Sequence, residues 1–282
     1  MNINTIRPDE SIFLKRLTTI ANPPKCLYYT GNLPTSPRLV VAIVGTRRPT
    51  AYGRAVTEQI SSALAAHGVL IVSGLALGVD AIAHTAALRA GGHTIAVITS
   101  RPDDPTPRTN RHLAEQMIEN GDAILSEHGE EHIIQGPWEF VIRNRLVSGL
   151  SDAVIVTEAS IHSGTMSTVT YALEQGREVY AVPGPITSPL SAGCNTLIAQ
   201  GANPIVTIDG LLESLGLTAP DKIVLGENDA ETTLLQLLQT GIADGEELQK
   251  MSKLDVQTFS TTMTMLEIRG LIHPLGGNRW RL

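Results

Sequence analysis

The chain has 282 residues, 42% of them hydrophobic and 17% charged, with a formal net charge of −7 and a mean hydropathy of +0.07. That balance suits a globular protein with one sizeable core and a small accessory domain, and no apolar stretch reaches the roughly 18 residues of a membrane span. The opening "MNINTIRPDESIFLKRL" lacks the apolar core of a signal peptide, and Cys26 and Cys194 lack metal-ligand spacing, so we expect a cytoplasmic chain with reduced thiols and no metal.

Residues 1–38 hold a short helical stretch and then "NPPKCLYYTGNLPTSP", whose prolines and glycine predict an irregular arm lying on the main domain. From 39 to 217 a repeating pattern follows. The run "LVVAIVG" leads into a helix over 53–67, "VLIVSG" into 79–91, "HTIAVIT" into 110–120, "DAVIVTEA" into 164–176, and "EVYAVPG" into a loop and 193–200. These strands are apolar throughout rather than alternating, as strands covered on both faces are. The fold class predicted is α/β, a doubly wound, Rossmann-like parallel sheet.

Residues 218–229 read as a linker. Over 230–282 the pattern changes to three helical segments and then "IHPLGGNRWRL", a Gly-Gly turn between two short strands. This is the element order of a winged helix. Its charge is wrong for a DNA reader, because residues 226–282 hold five Lys and Arg against eight Asp and Glu and a recognition helix must neutralise phosphates. We therefore expect a protein-contact module, with Met263, Leu266 and Ile268 in its core and Trp280 as an exposed anchor.

In an open parallel sheet, ligands bind beyond the carboxyl ends of the strands. Those positions carry "GTRRPTAYG", "SGLALGVD", "TEASIHSGT" and "PGP", rich in the Gly, Ser and Thr that offer backbone N–H groups to an anion. The pattern is neither the GxGxxG fingerprint nor a P-loop, since seven residues separate Gly45 from Gly53 and no Lys follows. No cofactor is expected.

Cations cluster with aromatics. Arg47, Arg48 and Arg54 surround Tyr52, and Trp138 and Phe140 precede Arg143 and Arg145, in a chain with only ten Phe, Trp and Tyr. Arginine for phosphate and a ring for stacking is the equipment of a single-strand binder. Catalytic readings are weaker. Ser73, Asp80 and His84 are triad residue types, but no GxSxG elbow is present, and Asp80 and His84, four apart, share one helix face. Glu158 ends a strand with no second acid close in sequence. No catalytic residue is assigned.

At these same residues the chain resembles the DNA-processing protein A family (DprA, also called Smf). The resemblance rests on "VAIVGTRRPTAYG", "IVSGLALGVDAIAHTAAL", "FVIRNRLVSGLSDAVIVTEA", "SGTMSTVTYALEQGREVYAVPG" and "GCNTLIAQGA", in the family's order. It implies an extended Rossmann-like domain that binds single-stranded DNA without turning it over and helps load a RecA-type recombinase during uptake of transforming DNA, and a homodimer. The DNA-contacting positions it implies are Gly45, Thr46, Arg47, Arg48, Tyr52 and Gly53, then Ser73 and Gly74, then Phe140, Arg143, Asn144 and Arg145. Ser163, Gly164 and Thr165 match the family's phosphate-facing turn. Arg47 and Arg143 are expected on a loop and a helix surface.

The segment "TSRPDDPTPRTNR" departs from the family's glycine-rich third strand end, leaving Asn110 as the matching Asn. The competing reading is a nucleotide-processing enzyme of phosphoribohydrolase type. Against its PGGxGTxxE motif, Ile161 and His162 stand at the first two glycines and no Glu follows Thr165 at the right distance.

Overall fold

The computed structural model describes residues 2–35, 39–129, 132–217, 226–239 and 242–281. The chain forms two compact units, Met1–Leu217 and Thr218–Leu282.

In the first unit the strands are β1 (Asn4–Ile6), β2 (Leu27–Gly31), β3 (Val40–Val44), β4 (Leu70–Ser73), β5 (Thr94–Ile98), β6 (Ala123–Ser126), β7 (Ala153–Val156), β8 (Glu178–Ala181) and β9 (Asn203–Pro204). The helices are α1 (Ala51–Ala66), α2 (Val79–Arg89), α3 (Arg111–Glu119), α4 (Trp138–Leu150), α5 (Thr165–Glu174), α6 (Ala192–Ala199) and α7 (Ile208–Ser214). The sheet order is β1-β2-β6-β5-β4-β3-β7-β8-β9. Every pair from β6 to β9 is parallel.

The order follows from the strands' apolarity. Val40, Ala42 and Val44 face one core with Leu146, Val169 and Leu197, while Val41 and Ile43 face another with Ile60, Leu64 and Leu211. A strand with two buried faces needs helices on both sides, and the chain supplies α4, α5 and α6 on one and α1, α2 and α7 on the other. From β3 the chain winds outward through β4, β5 and β6, and then returns to place β7 at the free side of β3. This is the switch point at which such sheets open a crevice.

The N-terminal segment is no irregular arm. Strand β2 pairs antiparallel with β6, Tyr28 opposite Ser126, and β1 pairs with β2, Asn4 opposite Tyr29. Between them Phe13, Leu14 and Leu17 are buried in the first core. The flanking prolines hide a five-residue strand whose aromatic residues favour pairing. Asp152 fastens the segment further, accepting from Arg16 Nη1 at 2.9 Å and from the Val40 N–H at 2.9 Å.

In the second unit α8 (Asp229–Gln239), α9 (Gly245–Ser252) and α10 (Val256–Ile268) precede the strands β10 (His273–Pro274) and β11 (Trp280–Arg281), which pair antiparallel. Asp244 and Asp255 cap α9 and α10 by accepting backbone N–H bonds. Leu234, Leu235, Leu248, Met263 and Leu266 form the core. Two expectations fail here. Ile268 is 73% exposed, because it lies on the opposite side of the last turn from Leu266. Trp280 packs against the core instead of standing free as an anchor. Of the expected linker, residues 218–225 lie outside the described residues.

If the N-terminal segment belongs to the sheet's core, Leu17→Ala removes a fully buried side chain and destabilises the first unit by about 2–5 kcal/mol. Urea unfolding should show a lower midpoint. An unchanged midpoint would mean that the segment merely rests on the domain.

Candidate functional site

Beyond the carboxyl ends of β3, β4 and β7 lies a cavity of about 540 Å³ lined by Gly45, Arg47, Gly74, Asp80, Phe140, Arg143, Asn144, Ser163, Gly164 and Thr165, among others. Nine of the fifteen residues implied by the family resemblance thus converge on the switch-point crevice.

The loop after β3 presents Arg47 and Arg48, both exposed, and Glu158 fixes that loop at each end. The Glu158 carbonyl accepts from the Thr46 N–H at 2.7 Å. Its carboxylate accepts from the Thr50 N–H at 2.8 Å and from Thr50 Oγ1 at 2.7 Å. Thr50 in turn caps α1 by accepting from the Gly53 N–H at 3.1 Å. Gly53 lies so close that a Cβ there would come within 2.8 Å of Glu158 Cδ, so the residue must be glycine for the carboxylate to fit. Both oxygens of Glu158 are engaged in positioning the loop, and the residue is 2% exposed.

On the facing wall α4 contributes a ring and a guanidinium. The Arg47 guanidinium carbon sits 5.5 Å from the centre of the Phe140 ring, a cation–π distance. Arg143, one turn along α4, is buried at 7% exposure, which corrects the expectation of a helix-surface arginine. Its Nη1 donates to the carbonyls of Gly74, at 2.9 Å, and of Val97, while Nε is buried without a protein partner. Burial pulls its pKa down to about 10, opposed by Asp80, so it keeps its charge at neutral pH. Burial likewise pushes the Asp80 carboxyl up, opposed by Arg143. Gly74 fits between the two groups. A Cβ there would lie 2.7 Å from both Asp80 Oδ2 and Arg143 Nη2.

The third wall is the start of α5. Thr165 Oγ1 donates to the Gly45 carbonyl at 2.9 Å, tying this turn to the end of β3, and Asn144 Nδ2 donates to Ser167 Oγ at 2.9 Å. No acidic residue occupies the first turn of α5, so its N-terminal dipole opens uncompensated toward the cavity.

Six implied residues lie elsewhere. Arg145 is 8% exposed and pairs with both oxygens of Glu127 at 2.6 Å. It lines a separate cavity and is corrected from a free cation to a paired one. Ser73 is fully buried and donates to the Ile43 carbonyl at 2.6 Å. Tyr52 bonds through its hydroxyl to the Pro183 carbonyl at 2.8 Å. Thr46 Oγ1 accepts from the Arg48 N–H, Arg48 itself points to solvent, and Gly53 is packed under Glu158. Asn110 donates to the carbonyls of Leu75 and Ala76, bracing the loop after β4. The triad types stay apart in role, since His84 bonds Thr94 Oγ1 at 2.6 Å and Asp80 accepts from the Gly74 and Ala76 N–H groups. Asp80 and Glu158 are the site residues whose part the sequence did not disclose. Each is an acid closing a loop, and the signal available was the Gly-rich turn next to it.

The switch-point crevice of an open doubly wound sheet thus brings together two arginines and a ring. The chain belongs to the DNA recombination-mediator protein A family, whose model matches residues 4–216. It is 41% identical over 214 residues to the DNA processing protein DprA of Bacillus subtilis, covering 76% of this chain and 71% of that protein. It is 38% identical to the Smf protein of Escherichia coli, of which it spans 57%. Among solved structures it is similar to DNA processing protein A of Helicobacter pylori, described for its single-stranded DNA binding mode, with a TM-score of 0.68, 34% identity and coverage of 76% of this chain and 96% of that one. The Streptococcus pneumoniae protein gives a TM-score of 0.67 at 34% identity, over 76% of this chain and 74% of that one.

The buried His84 ring predicts a pH dependence. Burial lowers its pKa from 6.5 to about 3 in the folded chain, so on acidification the unfolded chain takes up the proton first. The stability that the neutral ring contributes is complete above pH 6.5 and drains away as the pH falls toward 3. Urea midpoints at pH 7.5 and pH 5 should therefore differ more for wild type than for His84→Asn. Equal differences would contradict the assignment.

Proposed function

We propose that the chain binds single-stranded DNA across the switch-point crevice and acts as a recombination mediator that helps load a RecA-type recombinase. In this reading the phosphates pass Arg47 and the first turn of α5, a base stacks on Phe140, and Arg143 supplies a fixed buried charge behind them. The observation that carries it is the Arg47–Phe140 pair at 5.5 Å beside that charge, in a chain of the recombination-mediator family. Single-stranded DNA, the recombinase and a second copy of the chain are the partners proposed. Among the described residues no helix is long and apolar enough to cross a membrane.

The phosphoribohydrolase reading loses support, because the carboxylate it would use, Glu158, holds Thr50 through both oxygens.

Arg47 is exposed, so Arg47→Glu should leave the fold intact and weaken binding of an oligothymidylate by at least about tenfold, or roughly 1.4 kcal/mol. The slope of log K against log salt should shrink by about 0.7 for the lost phosphate contact. Arg143 is unsuited to this test, since replacing a buried, bonded guanidinium also perturbs the fold. A folded Arg47→Glu variant with wild-type affinity and salt slope would refute the site.

We read the acidic second unit as a winged helix for protein contact, with no part in holding the strand. The one cation at the end of its helix α10, Arg269, is paired with Glu231 at 2.9 Å and Glu227 at 3.2 Å. A chain ended at Leu225 should keep its DNA affinity within about tenfold. A larger loss with the first unit still folded would put the second unit on the strand.

A further inference from the structure

The loop after β6 and the first turn of α4 bring together three side chains that the crevice does not use. His128 and His132 stack with ring centroids 3.5 Å apart and planes 8° from parallel. Both Nε2 atoms turn to the same carboxylate oxygen, Glu139 Oε2, at 3.5 Å from His128 and 2.7 Å from His132. The other oxygen of Glu139 accepts the Gln135 N–H, and its side chain is 3% exposed. Among the described residues this is the one group of three His, Cys, Asp or Glu side chains whose ligand atoms lie this close, all within 4.8 Å.

A hydrogen-bonding role explains one histidine but not two. Glu139 Oε2 is within bonding distance of His132, while His128 stands at 3.5 Å and still points its Nε2 at the same oxygen. Two imidazole nitrogens and one carboxylate oxygen within 4.8 Å of one another make the donor set of a zinc-type cation, and His128 and His132 have the H-x3-H spacing found in such sites, one ring turning out of the stack to bring both in-plane lone pairs onto the ion. Ligands about 2.0–2.1 Å from a tetrahedral ion lie roughly 3.3 Å from one another, and the two distances to Glu139 Oε2 bracket that value. The Gln135 N–H holds the carboxylate in place, as an outer partner of a metal ligand does.

We propose that His128, His132 and Glu139 form a binding site for one zinc-type divalent cation. Three protein ligands leave a fourth position, and it faces a cavity of about 480 Å³ lined by Cys26, Gln135 and Trp138 among others. Three cations line the same cavity, Lys25, Arg143 and Arg145. The charge of Arg145 is matched by Glu127, bound through both oxygens. The ion ties the loop after β6 to the helix that carries Phe140 and Arg143, and the site stands whether or not DNA occupies the crevice.

The test is calorimetric titration of Zn²⁺ into the untagged full chain after chelator treatment, beside His128→Gln, His132→Gln and Glu139→Gln. Wild type should take up one equivalent, and each variant should bind at least about tenfold more weakly. Co²⁺ in place of Zn²⁺ should give the visible bands of a four-coordinate ion in wild type only. Glu139→Gln alters a buried acceptor, but His128 is 33% exposed, so His128→Gln preserves the fold and decides the matter. No saturable heat, or a heat and cobalt spectrum unchanged in folded His128→Gln, means an adventitious ion only and overturns the site.

Discussion

One buried carboxylate sets the geometry on which the crevice depends. Glu158 stands at the end of β7, and by binding Thr46 through its carbonyl and Thr50 through both carboxylate oxygens it closes the loop 46–50 at both ends. Hydrogen bonds to a charged acceptor stabilise by roughly 1.5–3 kcal/mol each, enough to hold a short loop whose middle residues add only the Arg48 N–H on Thr46 Oγ1 and the Arg47 guanidinium over the Phe140 ring. The neighbouring strands β3 and β7 thereby share one rigid edge. A ligand meets an arginine already in position, so little ordering entropy is lost on binding.

The same edge reconciles an acidic protein with the phosphate ligand proposed for it. Lys and Arg number 14 against 13 Asp and Glu in residues 1–150, but 7 against 15 in residues 151–282. The negative charge belongs mainly to the second half, and the crevice draws Arg47 and Arg143 from the first. Asp80 is the acid inside the crevice, and its position next to Gly74 and Arg143 makes it a counterweight that allows a guanidinium to be buried there at all.

How much could be read in advance follows from what each signal measures. The five central strands were plain because a β-branched run apolar on both faces has one home, the middle of a covered sheet, and the ligand edge follows from strand direction. The four-residue strand β6, its neighbour β2 and the edge strands β1 and β9 went unread, since short segments beside Pro and Gly carry no period. Arg143 and Arg145 illustrate a deeper limit. Both occur in "VIRNR" as exposed-looking cations, yet one is buried on backbone carbonyls and the other is paired with Glu127, 18 residues away in the chain. Pairing across such distances is a property of topology. Asp80 and Glu158 escaped for the same reason.

The central claim, that the strand lies across the β3–β7 switch point, is tested most directly by hydrogen exchange of the full chain with and without saturating oligothymidylate. The account predicts slowed exchange in peptides covering 45–54, 138–147 and 160–168, with residues 229–281 unchanged. Protection confined to 229–281, or absent from all three crevice segments while DNA is bound, would contradict it.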